Sequence, residues 1–181
     1  SHFGIESGKQ PTRVARVSTP YAADKLIAQA RQLAAEYRRA MGKPLPGISN
    51  EIAEHDAVRL LGLEPKSGEE AGWDAVEPDT GQRIQIKSRT IFDESKSGQR
   101  IGQLKMNQDW EAVVLVLMDE NYEPYEIYRA MREDLAEFVD ASSSGRSKRG
   151  AMSVARFKVI GELIWDRSFE CVLPAIARLD Q

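Results

Sequence analysis

Residues Ala112-Val-Val-Leu-Val-Leu-Met118 are seven apolar side chains in a row, set between Glu111 and Asp119. A strand with one wet face alternates polar and apolar positions, so a run with no polar position belongs to a central strand covered on both sides. The chain must therefore supply covering elements for two faces. Its 181 residues and 41% hydrophobic content suffice for one globular domain with a sizeable core.

Upstream, Gly72-Trp73-Asp74-Ala75-Val76 and Arg83-Ile84-Gln85-Ile86-Lys87-Ser88-Arg89 flank Glu77-Pro78-Asp79-Thr80-Gly81. Pro, Asp and Gly provide the fixed and positive φ values of a tight connection, so the spacing predicts a β-hairpin. A side-chain period of two puts Ile84 and Ile86 on one face of the second strand and Arg83, Gln85, Lys87 and Arg89 on the other. That polar face has two readings. It suits the solvated side of an antiparallel sheet. It equally suits a site in which Asp74, across the turn, approaches Gln85 and Lys87, an arrangement able to hold a divalent cation beside a phosphate.

Residues 1–18 show no periodicity and are expected to be a flexible N-terminal segment, with 19–181 a single domain. Thr19-Pro20 marks a helix start. Leu26, Ala30, Leu33 and Tyr37 with Ile27, Ala34 and Met41 form an apolar stripe, so a helix is expected over 19–41 with Lys25, Arg31, Arg38 and Arg39 on its other sides. After the connector Lys43-Pro44-Leu45-Pro46-Gly47, Ser49 or Asn50 is expected to cap a second helix that Gly62 closes, with Ala53, Ala57, Leu60 and Leu61 inward. Glu51 and Glu54 can each project into a neighbouring site or simply decorate the helix, and His55 is expected at the surface. The core is expected over about 47–140. Within it lie a polar, mobile loop from Asp93 to Gln103, a strand over Tyr125–Tyr128 and a helix over Arg129–Val139. Residues 142–150 are expected to be flexible, and a last element over 151–166 opens the C-terminal part, 151–181.

The net charge of −3 excludes a protein that coats nucleic acid by bulk positive charge. Local charge is uneven. Residues 83–105 hold six basic side chains against two acids, and 146–158 hold five against none. Of these, Arg83, Arg89, Lys96, Arg100 and Lys105 adjoin the hairpin and suit phosphate contact, as they also suit a solvated loop. No apolar run is long enough to cross a bilayer and no charged-then-apolar leader opens the chain, so a cytoplasmic protein with no membrane partner is expected. The single cysteine, Cys171, excludes an intramolecular disulfide and a cysteine-based zinc cluster. With no zinc finger or helix-turn-helix, an interaction protein that dimerises through its first helix is one rival reading.

A Glu-bearing helix, then a hairpin carrying Asp74 and Gln85-x-Lys87, then an apolar strand resembles the PD-(D/E)xK nuclease superfamily over about residues 47–128. Gln85 in place of the usual acid is similar to the variant of Mrr-type restriction endonucleases, and Trp73 stands where the pattern has Pro. The resemblance implies an α/β restriction-endonuclease-like core, a central mixed β-sheet flanked by helices, here with an extra long N-terminal helix. It implies phosphodiester hydrolysis assisted by Mg²⁺ or Mn²⁺, in DNA or alternatively RNA. Asp74 would be the principal metal ligand, with Gln85 giving a neutral oxygen and the main-chain oxygen of Ile86 completing the set, since hard oxygens suit these cations. Lys87 would orient or deprotonate the water and stabilise developing charge. Glu51 is the upstream acid, with Glu54 in reserve. A homodimer is the expected arrangement for cutting both strands. The alternative is a catalytically inactive nuclease fold serving as a DNA-binding or assembly subunit, in which Asp74, Gln85 and Lys87 do not converge.

Overall fold

The structure, a computed structural model, describes residues 20–68, 72–96, 98–141 and 152–169. Six strands form one sheet in chain order: β1 (Glu64–Pro65), β2 (Ala75–Val76), β3 (Arg83–Thr90), β4 (Ala112–Met118), β5 (Pro124–Met131) and β6 (Glu162–Asp166). β3 and β4 run parallel and every other neighbouring pair is antiparallel, which makes the sheet mixed. The helices are α1 (Pro20–Met41), α2 (Ile48–Leu61), α3 (Arg132–Ala141) and α4 (Val154–Ile160).

All seven residues of β4 are buried, as their apolar run requires. Ala112, Val114, Val116 and Met118 enter one core with Ile52, Ala53 and Ala57 of α2 and Ala34 of α1. Val113, Leu115 and Leu117 enter a second with Leu135 of α3, Val154 and Phe157 of α4, and Ile101, Leu104 and Trp110. These last three belong to the β3–β4 connection, which contains no helix. Parallel neighbours are usually joined by a helical crossover. Here Arg132 does the fastening, donating to the carbonyls of Gln108 (2.6 Å), Trp110 (2.9 Å) and Met106, with its guanidinium 4.6 Å from the centre of the Trp110 ring. Main-chain bonds Ile101 N to Met152 O and Val154 N to Gln99 O, both 2.9 Å, tie the same segment to the start of α4.

Several expectations shift. Leu26, Leu33 and Met41 of α1 are exposed, while Ala34 and Ala35 are buried and Arg31 is partly so. The inward edge runs through Arg31 because its guanidinium grips both carboxylate oxygens of fully buried Asp56, at 2.9 and 2.7 Å. That pair also turns α2, whose buried residues are Ile52, Ala53, Asp56 and Ala57, with Leu60 and Leu61 half-buried. Neither Ser49 nor Asn50 caps α2. Gly47 is its N-cap, without a side-chain cap, and Gly62 closes it as expected. β5 continues through Met131, so residues 129–131 are strand where a helix was expected. The stretch after Met152 divides into α4 and β6. Residues 1–19, 142–151 and 170–181, with their expected flexible segments and Cys171, lie outside the described residues. Among the described residues no helix is long and apolar enough to cross a membrane.

Removing one member of a buried ion pair leaves the other charge unpaired, a loss of about 3–5 kcal/mol. Asp56→Ala is expected to destabilise the domain by about that much in urea unfolding. The double variant Arg31→Met with Asp56→Ala is expected to recover most of the loss.

Candidate active site

The hairpin closes through Gly81 N to Glu77 O (2.8 Å) and Glu77 N to Gln82 O (2.9 Å). Gly81 takes φ 71°, a left-handed value that side chains disfavour. Register follows, pairing Ala75 with Ile84 and Val76 with Arg83. One residue before β2, Asp74 N donates to Ile84 O (2.8 Å), and the Asp74 carboxylate folds back so that Oδ2 accepts from Ile86 N at 2.7 Å. Asp74 is thereby fixed on the peptide that joins Gln85 to Ile86.

The face expected to be either solvated or functional is solvated only in part, with Arg89 exposed and Arg83 half-buried. Gln85 is buried, and its Oε1 is a buried acceptor with no hydrogen-bond partner. Lys87, two residues on and on the same strand face, is half-buried, because the crossover segment lies over it: a Cβ built on Gly102 would stand 3.7 Å from Lys87 Nζ. Burial pushes the Lys87 ammonium below its ordinary pKa, with Asp74 opposing that shift and Lys105 adding to it.

α2 supplies the acid. Asn50 Oδ1 accepts from Ser88 Oγ at 2.8 Å, which sets the first turn of the helix against the end of β3. Glu54 follows one turn later, half-buried. Burial raises its carboxyl to about 7, and the negative charges of Asp74 and Glu51 push the same way against Lys66. Glu51 itself is exposed. Of the two helix acids, the reserve Glu54 is the one buried in the field of Asp74.

Asp74 thus touches the main chain of β3 between Gln85 and Lys87, and its charge acts on both Lys87 and Glu54. The expected phosphate-contacting residues divide. Arg83 is occupied by Glu111, with Nε 2.9 Å from Oε1, and stacks over Trp73 at 5.3 Å, so it serves as an internal brace for the hairpin. Arg89 and Lys96 line a cleft with Arg38, a residue that the α1 pattern gave no reason to place there. Lys105 is exposed beside Lys87, and Arg100 is exposed at an isolated bridge to Ser153. His55 meets Asp24 at 2.8 Å between α1 and α2, away from any metal-like cluster.

Among the described residues no three His, Cys, Asp or Glu side chains gather into a group that could hold a metal ion. The oxygens on offer are mixed instead: the Asp74 carboxylate, the Gln85 amide and the raised carboxyl of Glu54. All are hard donors suited to Mg²⁺ or Mn²⁺, and the orphaned Gln85 Oε1 is an acceptor that a cation would satisfy. Compared with known protein families and with curated proteins, the chain matches none.

The Glu54 shift has a consequence for stability. Between the ordinary carboxylate value and about 7, the folded chain keeps a proton on Glu54 that the unfolded chain has lost, so stability falls as pH rises through that window. Glu54→Gln is expected to remove this slope and to exceed the parent in stability at about pH 8 while matching it near pH 5, measured by urea unfolding across the range.

Proposed function

We propose that this chain is a divalent-cation-dependent nuclease with a restriction-endonuclease-like core, hydrolysing phosphodiester bonds in DNA. The observation that carries the reading is Gln85 Oε1, buried and unpartnered at the peptide that Asp74 holds, on the strand face shared with Lys87. A buried acceptor left unmatched costs about 1–3 kcal/mol. A ligand that meets it would offset that cost.

Asp74, Gln85 and the main-chain oxygen of Ile86 would hold Mg²⁺ or Mn²⁺, with Glu54 completing the set. The cation supplies neutralisation of charge on the phosphoryl oxygens and acidifies water. Asp74 is oriented for this by the Ile86 amide, which leaves Oδ1 directed elsewhere. Lys87 lies under Gly102 with a depressed pKa, so its amine can hold the attacking water by hydrogen bond and accept a proton from it. The water oxygen bonds to phosphorus as the bond to the leaving oxygen breaks, and the ammonium so formed balances the charge that builds on the phosphoryl group. The crossover segment keeps bulk water from Lys87 and thereby strengthens that interaction.

Gln85 brings a neutral oxygen where a carboxylate would bring charge. Free cation affinity is therefore weak, and the substrate phosphate contributes the missing negative charge. Gln85→Glu is expected to tighten Mg²⁺ binding by about tenfold in calorimetry without substrate, equivalent to ~1.4 kcal/mol. Unchanged affinity removes Gln85 from the ligand set.

The direct test is cleavage of linear, single-stranded and branched DNA with Mg²⁺, with Mn²⁺ and with EDTA. Asp74→Ala and Lys87→Ala are each expected to lower metal-dependent cleavage by about 10²-fold or more, with unchanged circular dichroism. Equal cleavage by the variants overturns the assignment. DNA binding without cleavage by the parent identifies the inactive-subunit class.

A further inference from the structure

A second polar cavity, of about 370 Å³, opens where the N-terminus of α2 meets the end of β3, lined by Gly47, Asn50, Ser88, Arg89, Thr90 and Tyr122. We propose that it binds a phosphate group of a nucleic-acid strand whose neighbouring phosphate lies at Asp74 and Lys87. The pocket stands on its own geometry, while the identification of the strand rests on the nuclease reading.

Three features point to an anion. α2 is 14 residues long and its N-cap glycine offers no side-chain cap, so the start of the helix, where Gly47, Ser49 and Asn50 line the cavity, has amide N–H groups without a side-chain acceptor. A helix start of this kind favours negative charge. Tyr122 is fully buried, lines the cavity and has a hydroxyl with no hydrogen-bond partner. Thr90 Oγ1, also lining it, is a second buried oxygen without a partner. Donors of this kind are costly to leave unmatched and are satisfied by an acceptor-rich ligand.

Charge agrees. Arg89 also lines the adjoining cleft of about 560 Å³, which holds Arg38 and Lys96 against the single acid Asp93. Among the described residues Arg89 and Arg38 form no ion pair, and the Arg38 guanidinium lies 4.4 Å from the centre of the Phe92 ring. Burial raises the Tyr122 phenol, with Arg38 opposing, so the hydroxyl keeps its proton as a donor at neutral pH. Asn50 Oδ1 is taken by Ser88, which leaves its amide N–H₂ for the ligand.

Position fixes the kind of ligand. Ser88 and Arg89 directly follow Lys87 on β3, and Asn50 precedes Glu54 by one helical turn, about 5 Å. Pocket and hairpin site therefore adjoin each other along β3 and α2. Two such sites hold a backbone in register, and the scissile bond is set by where the second phosphate seats.

The test uses the full chain in EDTA, so that binding is read without hydrolysis. A single-stranded oligonucleotide and inorganic phosphate are titrated separately against the parent, Arg89→Ala and Tyr122→Phe. Arg89→Ala is expected to weaken both ligands about tenfold and Tyr122→Phe about threefold. Because its hydroxyl has no partner in the protein, Tyr122→Phe is also expected to leave the unliganded unfolding midpoint unchanged or higher, which a merely structural hydroxyl would not do. If it fails to fold, Thr90→Val replaces it with the same expected loss of affinity. Loss for inorganic phosphate alone overturns the strand assignment. Loss in Arg89→Ala alone overturns the pocket and leaves an isolated surface cation. No loss in either overturns the proposal entirely. Absence of cleavage with Mg²⁺ in the parent would sink the nuclease reading yet leave these binding outcomes legible.

Discussion

One guanidinium joins the parts of this domain that matter for its chemistry. Arg31 of α1 holds both oxygens of Asp56 on α2 and also donates to the main-chain oxygen of Tyr122 in the β4–β5 turn. α2 carries Asn50 and Glu54, and Tyr122 lines the cavity at the start of that helix. A slip of α1 would move the acid and the phenol together. Burying a charged pair is a poor route to stability by itself, since desolvation consumes most of the attraction. Its gain here is registry: a bidentate contact admits one rotation of α2, whereas the small residues around it, Ala53 and Ala57, would tolerate several.

The same contact explains why the helices were harder to read in the sequence than the strands. For β4 the seven-residue apolar run left one solution, and for the hairpin the Pro-Asp-Thr-Gly turn fixed register to the residue. Of the stripe expected on α1, Ile27, Ala30 and Ala34 do pack on the core, but Leu26, Leu33 and Met41 are exposed and the inward edge includes an arginine. Hydrophobic periodicity cannot show that, because the pairing of Arg31 with Asp56 spans 25 positions and depends on both helices being in place. The different burial of Glu51, which is exposed, and Glu54, which is half-buried, was hidden for a related reason. Helical phase slightly favoured Glu54, but the helix start was placed at Ser49 or Asn50, and its true beginning at Ile48 rests on a glycine cap with a left-handed φ of 82°. The extension of β5 through Met131 was hidden because Tyr-Arg-Ala-Met-Arg has no strong preference and the partner strands β4 and β6 decide it.

The β3–β4 connection sets the local dielectric of the site. A crossover helix would lie as a rigid rod over the sheet. An irregular segment, fastened by Arg132 to its carbonyls and by Trp110 to the core, instead drapes a glycine over Lys87. A Cβ at that position would make ordinary van der Waals contact with the ammonium, so the glycine keeps the cover over Lys87 thin. Tyr122 shows a comparable compromise, being the only described non-glycine residue with positive φ, at 61°. A bulky residue in that conformation costs of order 1–3 kcal/mol, and glycine or asparagine would avoid most of it. What tyrosine adds is a buried, unpartnered hydroxyl on a residue that lines the cavity beside α2.

Burial displaces Lys87 and Glu54 in opposite directions, one down and one up, and each shift favours the neutral form. Asp74 acts between them, favouring the ammonium of Lys87 and disfavouring the carboxylate of Glu54. Any added positive charge at this place would reverse the second effect and deepen the first: Glu54 would ionise and Lys87 would lose its proton more readily. Under the proposed function a cation would thus favour the carboxylate of Glu54 and the free amine of Lys87 together. In that reading this would offset the neutral Gln85, since Glu54 would supply the negative charge that an acid at that position would carry permanently.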